Sequence, residues 1–168
     1  QDVFIYSGGA IMPLIDCFYE SSINYYIGTN ELSLGLSAVG YAKSSNKPGI
    51  CIVTSGPGLT NMVTPLTDAQ NDSTPLIVLS GQVPLNSMGT DAFQECPATE
   101  ITKSITKWNY CVTDVSELDD VMDEAFKISQ GGKPGSVHID LPKCVLTNHY
   151  KPSIKKMNID SDFLDKNK

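Results

Sequence analysis

The sequence contains no arginine: all twelve of its basic residues are lysines, and nineteen acidic residues give it a formal net charge of -7. A chain that is acidic and lacks arginine is poorly suited to neutralising phosphate groups, so we expect it to bind neither nucleic acid nor an anionic membrane surface. Long hydrophobic runs are absent as well, and none approaches the roughly 20 residues that cross a bilayer. The first residues also lack the charged and apolar regions of a secretory signal peptide. No nucleic-acid partner and no membrane partner is predicted.

Closely spaced cysteines are missing too. The five cysteines are an odd number, and no two of them form a CxxC pair (Cys17, Cys51, Cys96, Cys111, Cys144). Structural zinc sites and disulfide frameworks use tighter spacings, so neither is expected, and no metal ligand is predicted here. Buried, reduced thiols indicate an intracellular protein. Its compartment would be the cytoplasm, or an organelle such as a mitochondrion or plastid if a transit peptide has been lost.

The apolar residues that are present form short runs rich in β-branched and aromatic side chains. These runs alternate with stretches of helical spacing, and 168 residues suffice for one domain of this kind. The predicted strands are residues 3–6, 23–27, 50–54, 76–80, 110–113 and 137–141; the predicted helices include 10–20, 31–44 and 116–129, the last capped by Ser116. Nearly continuous apolar runs are typical of strands buried on both faces. We therefore predict an α/β fold: a doubly wound, mainly parallel six-stranded sheet with helices on both faces.

The composition changes near the end of the chain. Residues 1–146 carry the strand and helix pattern, whereas 147–168 are rich in lysine and poor in large apolar residues. We expect 1–146 to form one domain, lacking an upstream first helix, and 147–168 to be a linker toward a central domain outside this sequence.

Ligands of open α/β sheets bind beyond the carboxyl ends of the strands, so the turns there are the candidate sites. The turn with Gly8 and Gly9 does not complete a dinucleotide fingerprint, and residues 55–58 (SGPG) lack the lysine of a phosphate-binding loop. Each is either a tight packing turn or the face of another ligand. The segment 81–95 is long enough to suggest a functional loop.

Two kinds of ionisable residue need separate interpretations. Glu31 follows the second predicted strand; it is either an ordinary helix-start carboxylate or a carboxylate in an apolar site that exchanges a proton with a ligand nitrogen. His138 and His149 have no evident serine or cysteine partner in the sequence, so a hydrolase triad is not favoured.

Taken in order, the motifs resemble a known family. Residues 6–11 (YSGGAI), Asn30-Glu31 and 55–58 (SGPG) are similar to the pyrimidine-binding domain of thiamine-diphosphate enzymes. Residues 81–84 (GQVP), 89–95 (GTDAFQE) and 140–143 (DLPK) narrow the resemblance to the catalytic subunit of acetolactate (acetohydroxyacid) synthase. The resemblance extends over about residues 2–146, and the last three motifs in this order are specific.

The resemblance implies a transferase of branched-chain amino-acid biosynthesis. Such an enzyme joins two pyruvates, or pyruvate and 2-oxobutyrate, and releases CO2, with thiamine diphosphate, Mg²⁺ and FAD as cofactors. It further implies two catalytic residues, Glu31 and Gln94. The glutamate hydrogen-bonds N1′ of the aminopyrimidine ring and favours its 4′-imino form, and the glutamine faces the reacting carbon and the substrate.

The same resemblance assigns roles to further residues. Those implied to contact thiamine diphosphate, together with Glu31 and Gln94, are Tyr6, Gly8, Gly9, Pro57 and Asn61. Those implied to line the channel for substrate and inhibitors are Pro84, Ala92, Phe93 and Lys143. Lys133 stands where the family commonly has an arginine that touches FAD; lysine keeps the charge but not the bidentate geometry.

Other parts of the implied enzyme lie outside this sequence. The family holds the diphosphate and Mg²⁺ in a separate domain with a GDG…N motif, which this chain lacks. The implied partners are a second subunit of a homodimer or homotetramer that completes the active site, and a regulatory subunit. This chain alone is expected to be inactive. Two alternatives stay open: another thiamine-diphosphate carboligase or decarboxylase, and a non-catalytic α/β binding domain.

Overall fold

A computed structural model describes residues 2–149 of the chain. Six strands form one sheet, and every neighbouring pair runs parallel. In chain order the strands are β1 (Asp2–Ile5), β2 (Asn24–Ile27), β3 (Gly49–Val53), β4 (Leu76–Gln82), β5 (Trp108–Cys111) and β6 (Ser136–Pro142). They lie in the spatial order β2-β1-β3-β4-β6-β5. The predicted six-stranded parallel sheet is confirmed.

The centre of the sheet is buried on both faces. β4 pairs with β3 from Leu76 opposite Gly49, and with β6 from Leu76 opposite Ser136 as far as Gln82 opposite Pro142. Every residue of these three strands is buried, as their continuous apolar runs predict. The edge strand β2 differs, because all four of its residues are exposed. For the run 23–27 the prediction of burial on both faces is wrong.

Helices cover both faces of the sheet. They are α1 (Met12–Asp16), α2 (Glu31–Ser45), α3 (Pro57–Thr60), α4 (Val63–Asn71), α5 (Ala98–Thr102), α6 (Leu118–Gln130) and α7 (Lys143–Leu146), with 3-10 turns at Leu85–Ser87 and Val115–Glu117. Side chains of α1, α6 and α7 share one apolar cluster with the sheet, and those of α2 and α4 share the other. The fold is therefore doubly wound. Within residues 2–149, no helix is both long and apolar enough to span a bilayer.

Two helix predictions need correction. The helix predicted over 10–20 extends only over Met12–Asp16, with Pro13 in its first turn, and turns follow it. The helix predicted over 116–129 begins at Leu118, and Ser116 is not its cap. The Asp114 side chain instead accepts a hydrogen bond from the Ser116 backbone N–H at 2.8 Å, which stabilises a 3-10 turn ahead of the helix.

The cysteines are only partly core residues. Cys51 is fully buried beneath α2, and burial, strengthened by the negative charge of Glu31, raises the pKa of its thiol to about 12. Cys17 and Cys144 are exposed, so for these two the prediction of buried thiols is wrong. All five are free thiols.

Candidate functional site

The topology places a crevice beside the carboxyl ends of β1 and β3. These strands are neighbours, yet α1, which follows β1, and α4, which follows β3, pack on opposite faces of the sheet. The two connections therefore diverge and leave a gap between them. Such a switch point is where open α/β sheets bind their ligands.

Glycines allow three loops to meet at this crevice. A methyl group on Gly8 would collide with the Thr54 side chain, so the loop after β1 lies directly against the end of β3. Gly56 has a positive φ of 55°, and a methyl group there would lie 2.5 Å from the carbonyl oxygen of Gln94. The predicted turns at Gly8 and at residues 55–58 thus require glycine for close approach of backbone and side chains.

Glu31 is the first residue of α2 and is nearly buried, at 8% exposure. The side chain of Asn30 accepts a hydrogen bond from the Ser33 N–H at 3.2 Å and so caps the helix. From the end of α3, Asn61 Nδ2 donates to Glu31 Oε2 at 3.0 Å. Within the described chain no hydrogen bond reaches the other oxygen, Oε1.

This environment favours the second of the two interpretations of Glu31. A helix start accounts for a carboxylate at this position, because the helix dipole stabilises it there. It does not account for near-complete burial close to Cys51, a fully buried thiol whose pKa the Glu31 charge helps to raise. With Oε2 held by Asn61 and no hydrogen bond to Oε1 within the described residues, the carboxyl group has one oxygen left to accept from a polar ligand atom.

The loop that carries Gln94 packs against the turn after β3, where the Gln94 backbone lies next to Gly56. Gln94 and Asp91 both have left-handed backbones, with φ of 61° and 57°. Such conformations are costly for residues other than glycine, and strain of this kind concentrates at functional sites. Glu95 holds the loop together by accepting hydrogen bonds from the backbone N–H groups of Gly89 and of Ala92, the latter at 3.1 Å. These bonds lower the pKa of Glu95.

Beneath the loop lies a pair of buried polar side chains. Gln82, the last residue of β4, donates from Nε2 to Asp140 Oδ2 at 2.9 Å and to the Cys96 carbonyl oxygen at 3.1 Å. Both side chains are 1% exposed. Burial raises the pKa of Asp140 to about 6, against the opposing effect of hydrogen bonds from Ser80 and Gln82. Asp140 also lines a cavity of about 500 Å³ together with Ala92.

The network of buried, hydrogen-bonded side chains extends from Asp140 to His138. Its Nε2 lies 2.8 Å from Ser80 Oγ, and its Nδ1 lies 2.9 Å from Thr102 Oγ1. Ser80 Oγ also donates to Asp140 Oδ1 at 2.6 Å, and Asn109 Nδ2 donates to Thr102 Oγ1 at 2.8 Å. Burial lowers the pKa of His138 to about 3.

The sequence interpretation that His138 lacks a serine partner is therefore wrong. Ser80, His138 and Asp140 do contact one another, but their exposures are 0%, 0% and 1%. A serine nucleophile without access to substrate cannot act as a hydrolase, so the three form a structural network. Polar residues inside apolar strands were the available signal, yet only the register of β4 against β6 reveals that they meet.

The structure brings most of the predicted residues to the end of the sheet at which the carboxyl ends of the strands lie. Tyr6, Gly8 and Gly9 follow β1, Pro57 and Asn61 lie in and after α3, and Pro84, Ala92, Phe93, Gln94 and Lys143 follow β4 and β6. Phe93 is 88% exposed, so its ring is open to contact. Lys133 is the exception. It lies just before β6, at the amino ends of the strands, and so is at the other end of the sheet from Glu31.

This fold, with polar residues gathered at the carboxyl ends of its strands, is typical of α/β domains that bind a cofactor at the switch point of a parallel sheet. Comparison with known proteins agrees: the family described as "Thiamine pyrophosphate enzyme, N-terminal TPP binding domain" matches residues 1–101. The chain belongs to this family, which confirms the resemblance found in the sequence.

Curated relatives are similar over most of the chain. It is 46% identical over 155 residues to the mitochondrial acetolactate synthase of Schizosaccharomyces pombe, covering 92% of this chain and 23% of that protein. It is 49% identical over 144 residues to the mitochondrial acetolactate synthase catalytic subunit of Saccharomyces cerevisiae (85% and 21%) and to the chloroplastic acetolactate synthase of Arabidopsis thaliana (85% and 22%). The chain thus spans less than a quarter of their length.

Proposed function

We propose that the whole protein condenses two pyruvates, or pyruvate and 2-oxobutyrate, with loss of CO2, and that this chain supplies the pyrimidine end of its thiamine-diphosphate site. The observation that carries the proposal is the nearly buried Glu31, held through Oε2 by Asn61 at the switch point of the sheet. The relatives named acetolactate synthase support the reaction class.

The residues at the crevice fit an aminopyrimidine ring. A flat heteroaromatic ring with a protonated nitrogen needs one acceptor, and Glu31 Oε1, which receives no hydrogen bond within the described residues, offers it. Gly8 and Gly56 let the loops after β1 and β3 and the loop that carries Gln94 pack against one another at this crevice. When bound, thiamine diphosphate supplies the electron sink for decarboxylation and carbon–carbon bond formation.

The proposed role of Glu31 is to accept the hydrogen of N1′ and so to control the tautomer of the ring. Asn61 occupies Oε2 and thereby directs Oε1 toward the ligand. We further propose that Tyr6, Gly8, Gly9 and Pro57 surround the ring. Gln94 would face the reacting carbon, and Pro84, Ala92, Phe93 and Lys143 would line the approach to it.

Further cofactors and partners are part of the proposal. Mg²⁺ and the diphosphate group would be held by a domain outside this chain; residues 2–149 contain no cluster of three or more acidic, cysteine or histidine side chains suited to a metal ion. FAD would contact Lys133, at the amino ends of the strands. The partner subunit of a homodimer or homotetramer would complete the active site, and a regulatory subunit would bind the assembly.

The domain boundaries and the location are proposed in the same way. Residues 1–146 would form the pyrimidine-binding domain, since α7 ends at Leu146. The linker would run from 147 to 168, of which residues 150–168 lie outside the described part of the chain. The relatives above are mitochondrial or chloroplastic, and an intracellular location is proposed here.

The test is Glu31→Gln in the full-length protein, assayed for acetolactate formation from pyruvate. Gln keeps the shape of the side chain but not the charge that attracts a protonated ring nitrogen, so we expect turnover to fall by about 10²- to 10⁴-fold. Glu124→Gln, on the exposed face of α6, is the matched control and should retain full activity. Near-normal turnover of Glu31→Gln would refute the proposed role.

A further inference from the structure

Gln82 lies under the Gln94 loop without reaching the crevice. Its side chain is 1% exposed, and its amide links the core of the sheet to the backbone of Cys96, two residues beyond Gln94. We infer that Gln82, anchored by Asp140, is a positioning residue that holds Gln94 in its working orientation. The inference rests on the role proposed above for Gln94.

The hydrogen bonds of Gln82 fix the orientation of its amide. Oε1 accepts from the Val83 backbone N–H at 2.9 Å, while Nε2 donates to Asp140 Oδ2 and to the Cys96 carbonyl oxygen. Each partner can play only one part, since a backbone N–H only donates and carboxylate or carbonyl oxygens only accept. The amide is therefore fully paired in a single orientation, and an amide rotated by 180° would lose all three bonds.

The anchor on the other side is rigid. Asp140 belongs to β6, which pairs with β4 along the whole length of both strands, and Ser80 holds its second oxygen. Gln82 thus joins a fixed point of the sheet to a loop that carries two left-handed residues. A strained backbone keeps its conformation only where its surroundings determine it. The hydrogen bond from Gln82 to the Cys96 carbonyl is one such restraint on the backbone next to Gln94.

Gln82 cannot touch substrate itself, so its effect must pass through the loop. Loss of the bond to Cys96 would let the Gln94 backbone relax and move its side chain away from the reacting atoms. Misplacement of a positioned group by about 1 Å can cost about 100-fold in rate. We expect Gln82→Met, which keeps volume and removes the amide, to lower kcat/KM for pyruvate by about 10- to 100-fold.

The test is a double-mutant cycle in the full-length holoenzyme, with Gln82→Met, Gln94→Ala and the two combined. Because Gln82 acts through Gln94, the combined variant should be no slower than Gln94→Ala alone. A purely structural role would instead lower kcat/KM by the same factor in both backgrounds, and this additive result would overturn the inference.

Two further variants keep the cycle decisive. Gln70→Met removes a hydrogen bond of the same kind, to the Ser136 N–H at 3.2 Å near the amino end of β6, and should leave kcat/KM unchanged. Gln82→Glu repeats the cycle if Gln82→Met does not fold; its carboxyl group cannot donate to both Asp140 and the Cys96 carbonyl, so the same non-additivity is expected. Failure of the proposed function is a separate result, because it appears as full activity of Glu31→Gln.

Discussion

Asn61 donates a hydrogen bond from Nδ2 to Oε2 of Glu31 across 3.0 Å, although thirty residues separate them in the chain. One residue follows α3 and the other begins α2, so the contact joins the connection after β3 to the connection after β2. It selects which carboxylate oxygen remains available. A site of this kind depends on two loops keeping their relative position.

The first prediction concerns this hydrogen bond. Asn61→Ala removes the donor and leaves Glu31 free to rotate, so we expect kcat of the full-length protein to fall about tenfold, the equivalent of one hydrogen bond to a charged group. Thr60→Ala is the control; it removes an exposed hydroxyl whose one hydrogen bond within the described residues goes to the Pro57 carbonyl, and its rate should match wild type. Equal rates for the two variants would contradict the role of Asn61.

The second prediction concerns the close approach of the loops after β1 and β3. A methyl group on Gly8 would collide with Thr54, whereas nothing lies within 4 Å of a methyl group on Gly9. Gly8→Ala should therefore lower the free energy of unfolding by about 1–3 kcal/mol through overpacking, while Gly9→Ala should change it by less than about 1 kcal/mol. Thermal unfolding of the two variants measures the difference, and equal melting temperatures would show that the loops can separate freely.

The third prediction concerns pH and the buried pair Asp140 and His138. Asp140 has a folded-state pKa of about 6 instead of 3.8, so its contribution to stability is complete below pH 3.8 and is lost as pH rises through 6. His138 has a folded-state pKa of about 3 instead of 6.5, so its contribution is complete above pH 6.5 and is lost as pH falls toward 3. Between about pH 4 and 6 the first contribution falls with rising pH as steeply as the second one grows, so their combined effect on stability does not change with pH.

Asp140→Asn removes one half of this balance. With only His138 left, acidification from pH 6 to pH 4 should lower the stability of the variant by up to about 3 kcal/mol more than that of wild type. The exposed carboxylates change both proteins alike, so the difference between them isolates the pair. Denaturant unfolding followed by the fluorescence of Trp108, the only tryptophan, measures it. Parallel stability curves for the two proteins would contradict the prediction.

The sheet could be predicted from the sequence because β3, β4 and β6 are buried on both faces and their apolar runs are continuous. The same pattern misled at β2, where Tyr25, Tyr26 and Ile27 are exposed on an edge strand. Composition reports what a strand can bury but not which strand stands at the edge. The start of α6 was missed for a local reason, since Asp114 competes with Ser116 for the capping role.

The candidate site was predictable only in part. The motif around Glu31 indicated a carboxylate at a helix start, but its burial depends on Asn61 and on the packing of α2 over β3. Gln82 and Asp140 lie in the motifs at 81–84 and 140–143, but a polar residue inside an apolar strand does not reveal its partner. Their contact follows from the register of β4 against β6, which is long-range information.

In the buried network of Asp140, Ser80, His138 and Thr102, the protonation of Asp140 decides which group donates each hydrogen bond. While Asp140 is ionised, Ser80 must give its only hydrogen to the carboxylate, so His138 bears its own on Nε2 and receives one from Thr102 at Nδ1. A proton on Oδ1 of Asp140 reverses every step: Ser80 donates to Nε2, the imidazole adopts the other tautomer, and Thr102 turns to the Ala98 carbonyl. A single proton beneath the Gln94 loop thus sets the polarity of a row of donors and acceptors that reaches from β4 to α5.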